Sequence, residues 1–247
     1  MISVRDVRIN CYLARPANAG SVPGLVLVHE WWGLNDWVRQ QADRFARRGY
    51  AALAVDLYRG EVAHDREHAH ELMRGLTDER ALADMRAAFD YLAGPGSSAK
   101  DKSGGEGDIP AGVCAGRPVG VIGWCMGGGQ ALRLAIAEPR VGGTVVCYGR
   151  PVTDVEQLRR LRGPLLGIWG QMDRGIEVEP FRKALEEAGV RATQHVYPGA
   201  GHAFLNENNS RGYNAEQAAA AWKDIATFLD ACLARPSKRD APLRGDR

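Results

Sequence analysis

Val119-Gly120-Val121-Ile122-Gly123-Trp124-Cys125-Met126-Gly127-Gly128-Gly129 reads as a short apolar strand that turns abruptly into a glycine-rich helix start. Gly-x-Cys-x-Gly at such a junction has the spacing of a nucleophile elbow with cysteine at its centre. A turn this tight leaves no room for side chains two positions either side of the nucleophile, and it forces the nucleophile into a strained backbone conformation. The sulfur of Cys125 then stands above the end of a sheet, near the positive end of a helix dipole, where a thiolate is favoured. A buried structural cysteine beside a glycine-rich turn fits the same letters. A nucleotide-binding loop fits less well, because the spacing is not G-x-G-x-x-G and no Lys-Ser/Thr pair follows.

Working outward, strand and helix patterns alternate. Gly24 to His29, Tyr50 to Val55, Thr144 to Cys147, Leu165 to Trp169 and Ala192 to Tyr197 are short apolar or β-prone runs readable as strands. Asn35 can cap a helix that runs to about Arg48 and stops at Gly49. Thr77 or Asp78 can cap a second, whose Leu82, Met85, Phe89 and Leu92 share one face. Gln130 to Ala137, Glu177 to Ala188 and Ala215 to Leu233 read as three more. The alternation predicts an α/β fold with a mostly parallel sheet and helices on both faces. In such sheets chemistry gathers at the carboxyl ends of the strands.

The 247 residues suit one domain over 1–234, interrupted by a Gly-, Ser-, Lys- and Asp-rich segment at 94–116 that reads as an exposed loop insertion. Residues 235–247 read as a polar, frayed tail. Hydrophobic residues make up 45%, charged residues 25%, and the formal net charge is +2, so nothing points to nucleic acid or a membrane as partner. The expected partner is a small molecule, and the expected state a monomer or small homo-oligomer. No basic segment followed by an apolar run opens the chain, and no apolar run is long enough to span a bilayer. The five cysteines are scattered and form no CxxC pair, which argues against a disulfide framework or a zinc site and for a cytoplasmic location.

Two residues beyond Cys125 complete a chemical set. Asp173 follows the apolar run ending at Trp169, and His202 follows the one ending at Tyr197. Nucleophile, acid, histidine is the chain order of α/β-hydrolases. An imidazole beside the thiol takes its proton and later returns one to a leaving group, and a carboxylate fixes the imidazole's tautomer. Singly, Asp173 reads as a turn residue and His202 as a loop histidine; together they converge on one chemistry.

These residues, with Val28-His29-Glu30-Trp31-Trp32-Gly33-Leu34-Asn35, Asp56-Leu57-Tyr58-Arg59-Gly60 and Tyr197-Pro198-Gly199-Ala200-Gly201-His202-Ala203-Phe204, resemble the dienelactone hydrolase family. The resemblance implies an α/β-hydrolase fold and a cofactor-free, metal-free enzyme opening lactones or small esters through an acyl-cysteine. Cys125 is then the nucleophile, His202 the base and Asp173 its orienter. Glu30 matches an extra carboxylate beside the resting thiol, and the Trp31 and Met126 backbone N–H groups match an oxyanion hole. The dienelactone-cleaving members carry a carboxylate-binding arginine where this chain has Asn206. A second such arginine falls in the helical region after the second strand, where Arg66, Arg74 and Arg80 are candidates.

Two other functions use the same letters: a non-catalytic small-molecule binding protein on a hydrolase scaffold, and a redox-sensing thiol protein. His64, His68 and His70 read as a solvated helix start rather than a metal site. Trp31, Trp32 and Trp37 are candidates to line an aromatic pocket, or to pack in the core. Asp56 is expected to cap the turn after it, and Cys147 to sit inert in the core.

Overall fold

The computed structural model describes residues 2–4, 7–17, 20–94 and 112–233. In chain order the strands are β1 (Ile2–Val4), β2 (Val7–Ile9), β3 (Cys11–Ala14), β4 (Gly24–Val28), β5 (Ala51–Val55), β6 (Val119–Trp124), β7 (Val141–Cys147), β8 (Leu165–Gly170) and β9 (Ala192–Tyr197). The helices are α1 (Asp36–Arg47), α2 (Arg66–Gly75), α3 (Asp78–Ala93), α4 (Met126–Ala137), α5 (Val155–Leu158), α6 (Val178–Glu187) and α7 (Ala215–Leu233).

Seven strands form one sheet in the order β3-β5-β4-β6-β7-β8-β9. Only β3 runs antiparallel to its neighbour, β5. The chain first moves outward from β4 to β5, then returns across the sheet to place β6 on the other side of β4. That reversal makes the carboxyl ends of β4 and β6 a topological switch point, where open α/β sheets hold their ligands.

Each buried strand feeds two layers because successive side chains point to opposite faces. Leu25, Leu27, Ile122 and Trp124 pack with α1 and α7, including Phe45, Trp222, Ile225 and Leu229. Val26, Val28 and Val121 pack with α3, α4 and α6, including Met85, Phe89, Leu132 and Phe181. The helix caps follow the expected chemistry: Asn35 accepts from the Val38 amide, Asp65 from His68 and Thr77 from Arg80.

The structure departs from the sequence-based expectation in several places. The expected strands start at Gly24, yet β1 and β2 form a separate antiparallel pair and β3 an edge strand before it. Their three or four residues each are too short to show a hydrophobic period. Helix α4 begins at Met126 rather than Gln130, because three glycines at its start hide the helical pattern. Residues 95–111 of the expected insertion, and all of the expected tail at 235–247, lie outside the described residues. At the far end of that insertion Ala115 and Gly116 are exposed, but Cys114 is fully buried, and the Val113 and Cys114 amides donate to the carbonyls of Tyr91 and Leu92. Those are last-turn carbonyls of α3, which have no acceptor role left within the helix and take these donors instead.

Candidate active site

Cys125 joins β6 to α4 with φ 54 and ψ −119, a left-handed conformation for a residue with a side chain. The glycines either side are there for clearance. A Cβ on Gly123 would meet the Gly127 carbonyl oxygen at 2.0 Å, and one on Gly127 would meet the Val28 oxygen at 2.2 Å. The elbow is thus pressed against both its own helix start and the end of β4.

His202, in the loop after β9, brings Nε2 to 3.1 Å from Cys125 Sγ. Its Nδ1 lies 2.6 Å from Asp173 Oδ2, in the loop after β8. The Asp173 side chain is 7% exposed while that of His202 is 43% exposed, so the acid is enclosed and the imidazole faces the opening. Burial pulls the His202 pKa down, but the hydrogen bonds to Asp173 and Cys125 outweigh it and push it up to about 10. The contacts with Asp173 and Cys125 therefore favour the imidazolium form of His202. The ring is held from the side by Tyr148, whose centroid is 5.3 Å away.

Glu30 sits beyond the end of β4 and is 3% exposed. Burial raises its pKa to about 7, against the lowering effects of the Asn206 hydrogen bond and the charge of His202. Asn206 Nδ2 donates to Glu30 Oε2 at 2.7 Å, and the Asn206 Oδ1 accepts from the Asn208 amide. Position 206 therefore faces Glu30 inside the protein rather than a substrate. Tyr148 Oη and Glu30 Oε1 are both buried without a hydrogen-bond partner of good geometry, and the two side chains interact electrostatically. The loop carrying Glu30 is anchored by His29, which is fully buried. His29 Nε2 accepts from the Leu57 amide at 3.1 Å, so its Nδ1 donates to the Glu30 carbonyl at 2.6 Å. Burial lowers the His29 pKa and keeps it neutral for this bridging role. The Trp31 amide has no acceptor among the described residues, and Met126 is the first residue of α4, where an amide has none within its helix.

A cavity of about 530 Å³ opens over these groups. Trp31, Met73, Met126, Pro151 and Val152 give it apolar walls, and Cys125 and His202 stand in it. Of the three expected tryptophans, Trp31 lines it, Trp32 packs on Trp31, and Trp37 is a core residue against Trp124. None of Arg66, Arg74 and Arg80 lines the cavity; Arg80 turns back to donate to the Leu57 carbonyl. The arginines in its wall are Arg133 and Arg150, which no motif marks. Asp56 accepts from the Tyr58 amide, as a turn cap does, and Cys147 is fully buried, its thiol pushed up by burial. His64 and His68 lie at the exposed start of α2, ring nitrogens 2.8 Å apart. Among the described residues no helix is long and apolar enough to cross a membrane.

The family model for dienelactone hydrolases matches residues 9–233. A Methylorubrum extorquens protein provisionally named carboxymethylenebutenolidase is 30% identical over 245 residues, covering 92% of this chain and 78% of that one. A Bradyrhizobium protein provisionally named 2-oxo-3-(5-oxofuran-2-ylidene)propanoate lactonase is 29% identical, covering 88% and 87%. A Klebsiella pneumoniae crystal structure, provisionally titled a dienelactone hydrolase, is 28% identical with a TM-score of 0.76, covering 91% and 94%. With an α/β-hydrolase sheet, a cysteine at the elbow and a match over most of its length, the chain belongs to the dienelactone hydrolase family.

Proposed function

We propose that this chain hydrolyses lactones or small carboxylic esters through an acyl-Cys125 intermediate, with residues 1–234 as one catalytic domain. The observation that carries this reading is the unbroken contact from Cys125 Sγ to His202 to Asp173 at the wall of an apolar cavity. The thiolate attacks the carbonyl carbon and the carbonyl π pair moves onto oxygen. The Trp31 and Met126 amides are positioned by sequence to receive that oxyanion, each such donor being worth roughly 3 kcal/mol. Collapse expels the alkoxide, which takes its proton from His202. In a lactone the alcohol so formed stays attached to the acyl group. His202, now neutral, removes a proton from water, and the hydroxide displaces the thiolate from the thioester. Asp173 holds the imidazole and stabilises its charged form throughout.

Glu30 acts on the resting state in this reading. A carboxylate near Cys125 disfavours the thiolate by like-charge repulsion and protects the thiol from oxidation. Thiol alkylation rate against pH tests this: an unchanged apparent thiol pKa in Glu30→Gln sinks it. The reaction itself is tested with p-nitrophenyl acetate, a neutral lactone and a dienelactone carboxylate, wild type beside Cys125→Ala. Turnover that disappears in the variant supports the thiol hydrolase. No turnover by folded wild type, with Cys125 inert to iodoacetamide, leaves a binding protein on a hydrolase scaffold.

A further inference from the structure

We infer that Arg150 is a specificity-determining residue that draws esters or lactones carrying an anionic group into the cavity, from the loop after β7. The inference rests on the thiol-hydrolase reading of the same cavity. Three observations lead to it. Among the described residues the cavity wall contains two guanidinium groups, Arg133 and Arg150, and no carboxylate. The charge of Arg133 is already matched: its Nη1 lies 2.9 Å from Asp78 Oδ2, and Gln130 Nε2 donates to the other Asp78 oxygen. Arg150 has no ion pair, side-chain hydrogen bond or ring contact among the described residues. Among the described residues the cavity therefore carries one arginine whose charge is unmatched, beside walls formed by Met126, Pro151 and Val152.

Its root is close to the chemistry. A Cβ on Gly129 would lie 3.2 Å from the Arg150 carbonyl oxygen, so the Arg150 backbone packs on the first turn of α4. Cys125 caps that same turn, and one turn rises only about 5 Å. An arginine side chain rooted there reaches an anion a few bonds from a carbonyl held at Cys125. Position 206 supplies no cation to the site, because it is an asparagine turned inward to Glu30. A carboxylate suits the planar guanidinium fork, while the apolar wall accommodates the carbon chain between the anion and the scissile bond.

The experiment compares kcat/KM for p-nitrophenyl hydrogen glutarate with that for p-nitrophenyl butyrate. The wild type should prefer the anionic ester, and the preference should shrink with added salt. Arg150→Gln should lower the anionic-to-neutral ratio roughly fivefold to tenfold, mainly through KM, as expected for a lost charged hydrogen bond. Arg150→Lys should keep part of the preference and Arg150→Glu should reverse it. Arg133→Gln, whose charge Asp78 already matches, should move the ratio less than Arg150→Gln. An equal ratio in wild type and Arg150→Gln overturns the inference, as does a loss carried by Arg133 alone. A general fall in activity with an unchanged ratio assigns Arg150 a structural role and also overturns it. If folded wild type hydrolyses neither ester, the thiol-hydrolase reading fails. The anion site is then decided by quenching of tryptophan fluorescence with N-phenylglutaramic acid against acetanilide, Trp31 being in the wall. Equal binding of the two by wild type, or by Arg150→Gln and wild type, rejects it.

Discussion

Asp173 is the enclosed end of a relay whose other end is exposed. Replacing it by Asn keeps the size of the side chain but lets the imidazole settle in the wrong tautomer and removes the charge that supports the imidazolium. Asp173→Asn should lower kcat by about 100-fold or more. Steady-state hydrolysis of p-nitrophenyl acetate measures this, and a loss under threefold contradicts the proposed orienting role. Asn206 makes a second residue-scale prediction. It is the hydrogen-bond donor to a buried carboxylate. Asn206→Leu leaves Glu30 Oε2 unpaired, so the variant should lose roughly 2 kcal/mol of stability above the Glu30 pKa and less in acid, where that side chain is neutral. Urea unfolding at both ends of the pH range separates this from simple loss of packing, which is independent of pH.

At the scale of the element, the elbow is held by contact with β4 as much as by its own turn. Three consecutive glycines follow Met126, and they are not equivalent. A methyl group on Gly127 runs into the backbone of Val28 and His29 at 2.2 and 2.4 Å, atoms that cannot step aside without breaking the sheet end. On Gly129 the nearest atom is 3.2 Å away, in a loop that can yield by a few tenths of an ångström. Gly127→Ala should therefore cost at least about 3 kcal/mol or fail to give folded protein. Gly129→Ala should stay within about 1 kcal/mol of wild type, the clash being offset by better helix propensity. Equal effects in urea denaturation would show that the close approach at Gly127 is not what the elbow depends on.

Across the whole molecule, the switch point brings a buried acid into a core where, among the described residues, His202 is the one cation that acts on it. Glu30 has its ordinary pKa of 4.5 raised to about 7 in the fold. Between about pH 4.5 and about pH 7 the folded chain keeps a proton that the unfolded chain has released. Stability therefore falls as pH rises through that interval and levels off above it. Glu30→Gln should remove this slope, leaving the variant more stable than wild type at alkaline pH by roughly 3 kcal/mol relative to the difference in acid. Chemical denaturation across that range checks it. A parallel pH dependence of the two proteins would mean that Glu30 ionises as freely in the fold as in the unfolded chain.

The sequence alone determined what depends on neighbouring residues. The elbow is legible because a tight strand-to-helix turn demands glycine at Gly123 and Gly127, and that demand is local. The main strands and helices are legible through their hydrophobic periods, and the chain order of Cys125, Asp173 and His202 through their places after strands. Tertiary structure decided what depends on distant partners. It brought His202 Nε2 to 3.1 Å from Cys125 Sγ across 77 positions of sequence. It turned Asn206 toward Glu30, put Arg133 and Arg150 in the cavity wall in place of Arg66, Arg74 or Arg80, and buried Cys114 against the end of α3. The physical reason is the same in each case. A side chain's type is local, but its partner is chosen by which elements the sheet order lays side by side, and no periodicity within a short segment encodes that choice.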